Sequence, residues 1–573
     1  GHANRPKRGL SRVLESFNTW FDHQAGRYGH VIAWALHHRR WMFLIAVASL
    51  VAALGLQYKF GGSSFLPRSD PGVLAVDVRT PASSSLDYAR AKVEAVAALA
   101  RTIPETKATN SFVTPGGGRI YVDIGKSTER RRANDLIAKD LRTLAARLIG
   151  AEYTVLEDFN MGAQKPVQIS FTGVDARKLL AITNDFMARL RQVPGAVDVG
   201  LSEQDPQDEL KIELDRGLAN ALGISAADAA QALRVAFAGV EVGDWVDPNG
   251  ETRDVAVRLA PEDRVDASNI ERLPIAVAGS GLIVPLDQIA TVTVGKGPSQ
   301  IQHADGKRTI SVSANAQGRS SGEVTTDAMK IARAIDFPPG YGIELAGASK
   351  DQQQVFGAML TALAYGVALM YLILVVQFGS FTAPLPVMLS LPLSLIGVVM
   401  ALLATRGTLN LMSLIGVIML MGLVAKNAIL LLDATRVQEA QGVPREDALM
   451  IAGRKRFRPI LMTTIALIAG MLPVAVGVGE GSEFYRPMAV AIIGGTITST
   501  LLTLLVIPCF YDSIEISRDR ALAKFHAREA RWNPFFAFVV TFGEAVLTLL
   551  MLRSLWRLIR RGTGFVFRRA AHV

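Results

Sequence analysis

Apolar residues gather into six long runs, at 41–56, 356–376, 384–404, 411–432, 460–478 and 487–510. Each approaches the length of about 20 residues that a helix needs to cross the hydrocarbon core of a bilayer. The first run stands alone, and roughly 300 largely polar residues part it from the other five. The pattern predicts one spanning helix, a large soluble insert and then a five-helix bundle.

Inside the insert the periodicity switches between two and 3.6 residues. Residues 73–79 alternate like a strand, and 85–101 place Leu86, Ala89, Val93, Val96 and Ala100 on one helical face. Pro104 breaks the chain before strands near 108–113 and 119–124, and a helix at 133–148 leads to a strand at 153–156. That order is β-α-β-β-α-β. Segments 166–172, 176–192 and 196–201 repeat its opening, while 309–314, 322–335 and 342–346 repeat its close. Two ferredoxin-like subdomains are expected, the second split by an insertion.

Orientation follows from the short loops. Residues 433–459 carry Arg436, Arg445, Arg454, Lys455, Arg456 and Arg458, whereas 405–410 and 479–486 carry one basic residue each. The positive-inside rule places the first loop in the cytoplasm and the insert outside. Ahead of the first span, Leu10, Val13, Leu14, Phe17, Phe21, Tyr28, Val31 and Ile32 recur at helical spacing among charged residues. They predict an amphipathic helix lying on the cytoplasmic membrane face. The chain does not open with methionine and no signal peptide precedes the first span, so it reads as a segment of a longer protein.

Composition agrees with a membrane protein: half the residues are hydrophobic, mean hydropathy is +0.28, and only 20% are charged. The net charge of +10 sits beside apolar segments, where topology explains it and nucleic-acid binding is not called for. The single cysteine, Cys509, excludes an intrachain disulfide framework.

Lys426 stands inside the fourth run, LMSLIGVIMLMGLVAKNAILLL. A charge on a spanning helix costs roughly 2.5–3.5 kcal/mol on insertion scales, so it normally faces a bundle interior and a partner. No other long run of this chain supplies a carboxylate for it. Lys426 therefore reads as one part of a relay whose other part lies elsewhere. An ammonium between two carboxylates favours their ionised forms, and protonating one frees the ammonium for a new partner. Gly416, Gly422, Gly494 and Gly495 read as small residues for close helix packing.

Enzyme signatures do not hold. Gly318-Arg319-Ser320-Ser321-Gly322 fits G-x-S-x-G, but His526 and His572, the histidines after it, lie beyond all six spans. Serine as a helix N-cap is the better reading. Pro115-Gly116-Gly117-Gly118 lacks the Lys-Ser/Thr of a phosphate loop and reads as a hairpin turn, and no such loop occurs elsewhere.

Three stretches carry a resemblance: KIELDRGLANALGISAADAAQALRVAFAG, SKDQQQVFGAMLTALAYGVALMYLILVVQFGSFTAPLPVMLSLPL, and GLVAKNAILLLD followed by RKRFRPILMTTIALIAGMLP. In this order they resemble the C-terminal half of a resistance-nodulation-division (RND) efflux pump, hydrophobe/amphiphile exporter branch. The resemblance implies an α+β polytopic inner-membrane protein: a six-helix half-bundle with a periplasmic insert of two ferredoxin-like porter subdomains and a docking insertion. The expected divisions are an interfacial helix at 1–38, a first span at 39–58, and porter subdomains at 70–160 and at 161–208 with 301–348. A docking insertion at 209–300, five spans at 353–512 and a basic tail at 513–573 complete them.

The same resemblance implies proton-driven export of hydrophobic or amphiphilic molecules with no cofactor beyond the proton-motive force. The lysine of the family's AKNA motif falls on Lys426, the arginine before its RP dipeptide on Arg456, and the threonine after PILM on Thr463. Asn427 adjoins the relay. The implied partners are an N-terminal half with paired transmembrane aspartates, two further copies in a homotrimer, a periplasmic membrane-fusion adaptor, an outer-membrane channel and the lipid bilayer. The region of the family's aromatic switch loop is here the short 112–118 with one aromatic, which weighs against broad drug specificity. Copper and silver exporters place an acidic residue where AKNA stands and use a methionine cluster, which scattered Met161, Met187 and Met329 do not form. An apolar stretch at 535–552, followed by arginines, is expected as an interfacial helix rather than a seventh span. The competing reading is a membrane scaffold or sensor that keeps the half-fold without transporting.

Overall fold

The computed structural model describes residues 10–529 apart from 68–69, 82, 128, 158–164, 203–205, 265–266, 278–280, 299 and 480. The 535–552 stretch and Met161 lie outside the described residues. Helix α1 (Leu10–His37) runs into α2 (Arg39–Phe60), the first of six helices among the described residues that are long and apolar enough to span a membrane.

The first periplasmic sheet follows in sequence: β1 (Val73–Arg79), α3 (Leu86–Arg101), β2 (Ala108–Thr114), β3 (Gly117–Asp123), α4 (Asn134–Ala145) and β4 (Glu152–Leu156). Strand order is β2-β3-β1-β4, all antiparallel, the ferredoxin-like arrangement. Val76 lies opposite Ile120 on one side and Val155 on the other, so alternate β1 residues make one buried row. Val93, Val96, Ala97 and Ala100 of α3 and Ile137, Ala138 and Leu141 of α4 cover it. The Ser85 hydroxyl caps α3 by accepting from the Tyr88 amide at 3.2 Å. Gly116, at φ +87°, supplies the left-handed residue of the Pro-Gly turn between β2 and β3.

The second sheet opens with β5 (Val167–Gly173), α5 (Ala176–Leu190) and β6 (Ala196–Leu201), then leaves on an excursion. The excursion contains β7 (Gln207–Leu214), α6 (Arg216–Ala221), α7 (Ala226–Phe237), β8 (Val240–Val246), β9 (Thr252–Val257), α8 (Ala267–Glu271), β10 (Pro274–Ala276), β11 (Ile283–Pro285) and β12 (Ala290–Gly297). β7 and β12 pair antiparallel along eight residues as a two-stranded stalk. Beyond it Ile224, Ile270, Ile275, Leu286 and Ile289 form a separate small core. The β8–β9 hairpin exposes Val242, Trp245, Val246, Val255 and Val257 as well as its acidic side chains.

The chain returns through β13 (Gln302–Ala304), β14 (Lys307–Ala316), α9 (Ser321–Arg333) and β15 (Gly342–Leu345). β14 pairs with β5 and β6, and β15 with β5, closing the second sheet around Phe171 and Phe186, whose rings meet tilted with centroids 4.9 Å apart. Ser320 caps α9 in a reciprocal box with Glu323, so the G-x-S-x-G serine serves the helix start. Met187 and Met329 pack on this core.

The remaining spans are α10 (Gly347–Phe378), α11 (Leu385–Ala404), α12 (Leu411–Ala440), α13 (Arg445–Val476) and α14 (Ser482–Glu529). α14 is central, with 61% of its most apolar stretch buried, against 6% for α10 and 11% for α13. Glycine lets it approach its neighbours. A Cβ on Gly397 would run into the Gly494 carbonyl oxygen, one on Gly495 into Leu420, and one on Gly416 would meet Met488 O at 2.9 Å. Gly422 departs from the sequence expectation: it has nothing within 4 Å and lies on an open face. Gly397→Leu must force α11 off α14, and overpacking of this kind costs about 3 kcal/mol at its upper end. A clear drop in the thermal unfolding midpoint of the solubilised protein is expected; an unchanged midpoint would mean that the α11–α14 contact is looser than drawn.

Candidate functional site

α12 starts at a reciprocal cap, in which Asn410 Oδ1 accepts from the Ser413 amide at 2.9 Å. Val417, Leu420, Val424, Ala428 and Leu431 bury one face of it. Met419, Gly422, Lys426, Asp433 and Val437 form the opposite stripe, and each is exposed. Lys426 thus sits at membrane depth on an uncovered face. Asp433, two turns on and about 10 Å away by helical rise, is the nearest acid of that stripe. Among the described residues no ion pair or hydrogen bond reaches Lys426. Asn427 is 7% exposed and turned into the half-bundle.

The other candidates are not brought to it. Thr463 is exposed on α13, and its hydroxyl donates to the Ile460 carbonyl of its own helix at 3.0 Å. Its neighbour Thr464 is the buried one, paired with Thr500 of α14 at 2.9 Å. Arg456 is half-buried in the basic turn before the α13 apolar run. Lys426 and Thr463 share one property: both are exposed on faces this chain leaves open.

A second set of charges was not anticipated. At the cytoplasmic end, buried Asp512 pairs with Arg39, and buried Glu515 with Arg518 at 2.5 Å. Tyr511 donates to Glu439 at 2.9 Å, and Arg445 reaches Glu439 at 3.3 Å and Asp519 at 3.0 Å. This mesh ties α2, α12 and α13 to α14. Its sequence signal was two carboxylates three residues apart directly after an apolar run.

Outside the membrane, a cavity of about 380 Å³ opens between the two ferredoxin-like subdomains and the ends of the spans nearest them. Phe65, Leu66, Leu156, Pro166 and Ala316 give it apolar walls, and Asn134, Arg142, Glu157 and Asn315 give it polar ones. Arg142 joins the subdomains, donating to Glu157 at 2.8 Å, to the Val155 carbonyl at 2.8 Å and to Asp198 at 2.9 Å. Asn315 donates to the same carboxylate at 2.9 Å. Lys165 donates to the Asp198 carbonyl at 2.5 Å, and burial pushes its ammonium below the usual lysine range. The buried Asn134 side chain donates to Glu157 O at 3.0 Å, and its Oδ1 at the cavity wall has no partner among the described residues.

The membrane part is fastened to this cleft at several points. Glu483, in the first turn of α14, accepts from the Asp70 amide at 2.8 Å and from Ser127 at 3.2 Å. The Ser349 hydroxyl of α10 donates to Pro166 O at 2.9 Å and accepts from the Gln168 amide at 3.2 Å. The central span and the first ferredoxin-like subdomain therefore share a side-chain contact.

Among the described residues, six candidate spans, a lysine on one of them without a counter-ion and two ferredoxin-like sheets, one of them split, define half of an RND permease, a multi-pass protein of the inner membrane. Residues 2–515 match the AcrB/AcrD/AcrF family, and the chain belongs to it. It is 28% identical over 546 residues to Protein HelA of Legionella pneumophila, covering 90% of this chain and 51% of that protein. It is 27% identical over 494 residues to the multidrug resistance protein MdtC of Serratia proteamaculans (strain 568), covering 84% and 48%. A heavy metal efflux pump, solved in two crystal forms, superposes with a TM-score of 0.73 at 26% identity, over 86% of this chain and 52% of the pump. The chain spans about half the length of the curated relatives it matches.

Proposed function

We propose that the chain is the C-terminal half of a proton-driven efflux permease that exports hydrophobic or amphiphilic small molecules. The observation that carries this is Lys426, an ammonium at membrane depth on an apolar face with no counter-ion among the described residues. A second set of helices with carboxylates would cover that face and complete the relay. Protonation of a carboxylate would release Lys426, and the two pairings would favour two helix packings. Thr463 and Arg456 would act at the edge of the same seam, with Asn427 holding α12 to the half-bundle. Glu483 gives the displacement a route to the cleft.

Cargo chemistry is read from the cleft, whose lining mixes apolar walls with amide, hydroxyl and charged groups, as an amphiphile requires. A heavy metal ion is the second reading, favoured by the name of the solved relative. The described lining contains no methionine, cysteine or histidine, the ligands that soft ions prefer. The reading also includes a homotrimer that engages a periplasmic adaptor and an outer-membrane channel. Proteoliposomes of the complete pump should expel an amphiphilic dye when a pH gradient is imposed and stop when a protonophore collapses it. Export that ignores the gradient would sink the proton-driven reading, and gradient-driven export of metal ions but no dye would favour the second cargo.

A further inference from the structure

The outer face of α1 carries a feature that transport does not use. His23, His30, His37 and His38 are four of the chain's eight histidines, and the first three are spaced seven residues apart. Tyr28, Ile32, Ala35 and Leu36 bury the opposite face against α13 and α14, with the Tyr28 hydroxyl donating to Leu504 O at 2.7 Å. All four histidines are exposed, together with Arg27, Arg40, Val31, Trp34 and Trp41. No acidic residue occurs from His23 to Ser69.

Ring geometry gives the stripe a direction. The Nδ1 atoms of His30, His37 and His38 lie 3.2, 3.3 and 3.1 Å from the carbonyls of Gly26, Ala33 and Trp34, one turn back. With Nδ1–H donating there, Nε2 is the group left for a partner. Protonation turns Nε2 from an acceptor into a donor suited to a phosphate oxygen. Among the described residues, the charged groups from other helices that meet α1 and the adjoining Arg39 include Arg454 of α13, which crosses Gly29, and Glu446 and Asp512, which are taken up by Arg39; on α1 itself, Asp22 precedes His23 in sequence. The stripe therefore stays cationic along its length, at the level where Trp and Val side chains meet the interface.

We propose that this face binds the headgroups of anionic phospholipids, with Arg27 and Arg40 as constant charges and the histidines as charges added when pH falls. α1 becomes a sensor of the inner leaflet, gripping anionic lipid more tightly in mild acid. Histidine is the side chain whose charge ordinarily changes between about pH 5 and 8.

The test uses the complete pump, mixed with micelles of equal phosphatidylglycerol and phosphatidylcholine, and native mass spectrometry to count the retained lipids. Wild type should prefer phosphatidylglycerol, and each histidine gained as a charge should raise that preference by roughly fivefold between about pH 8 and pH 6. His23→Gln, His30→Gln, His37→Gln and His38→Gln together should erase the pH difference while the residual preference survives through Arg27 and Arg40. His30→Arg with His37→Arg should restore strong retention at both pH values, which a merely structural role would not do. Equal retention of the two lipids by wild type, or a pH difference that persists in the quadruple glutamine variant, would overturn the proposal.

Discussion

Lys426→Ala in the complete pump is expected to reduce proton-coupled export to background while leaving assembly intact. The side chain lies on the stripe of α12 that this half does not bury, so its loss opens no cavity among Val417, Leu420, Val424 and Leu431. What disappears is the charge. Roughly 3 kcal/mol separates a paired from an unpaired intramembrane cation, which corresponds to about a hundredfold in coupled rate. Lys426→Arg should recover only part of it, because a planar fork replaces a compact ammonium. Normal export from a well-expressed alanine variant would remove Lys426 from the relay.

The chain purified alone and placed in liposomes should show no transport of dye against a gradient. Its α10 and α13 are mostly uncovered, α12 presents a cation to lipid, and among the described residues Thr463 bonds only its own helix. The same lysine then has the opposite effect on stability. In the isolated chain Lys426→Ala should stabilise the bilayer-inserted state by about 2.5–3.5 kcal/mol, because an unpaired charge is removed from hydrocarbon. Robust gradient-driven transport by this chain alone would contradict the half-pump reading.

Much of the fold was legible because two periodicities carried it. Runs of apolar residues marked the spans, and alternation with proline breaks marked the strands, including a second sheet interrupted by the stalk of β7 and β12. Contacts between distant segments left no such trace. Arg142 and Asp198 are far apart in sequence, and neither position differs locally from an ordinary surface charge. An amphipathic pattern also does not say what covers its apolar face. Tyr28 and Ile32 were expected at the membrane, yet they pack on α13 and α14, with Tyr28 stacked on Phe457 at 4.9 Å.

The candidate site was legible only in part for the same reason. Lys426 was conspicuous because charge is rare in an apolar run. Thr463 and Thr464 are adjacent and chemically alike, so only the helix phase shows that Thr464 meets α14 and Thr463 faces outward. Gly422 was grouped with the packing glycines, but its phase puts it one turn before Lys426 on the open stripe. Asp512 and Glu515 follow the last apolar run as α14 continues beyond it, and their burial depends on α2 and α13 closing over them.

The most direct measurement places a photo-reactive side chain at Met419, on the open stripe of α12, and illuminates native membranes containing the complete pump. The cross-linked product is then mapped by mass spectrometry. A bond to an apolar helix that carries paired aspartates and lies outside this chain is the expected result. Cross-links to lipid alone, or to a second copy of this chain, would contradict the relay that Lys426 is held to complete.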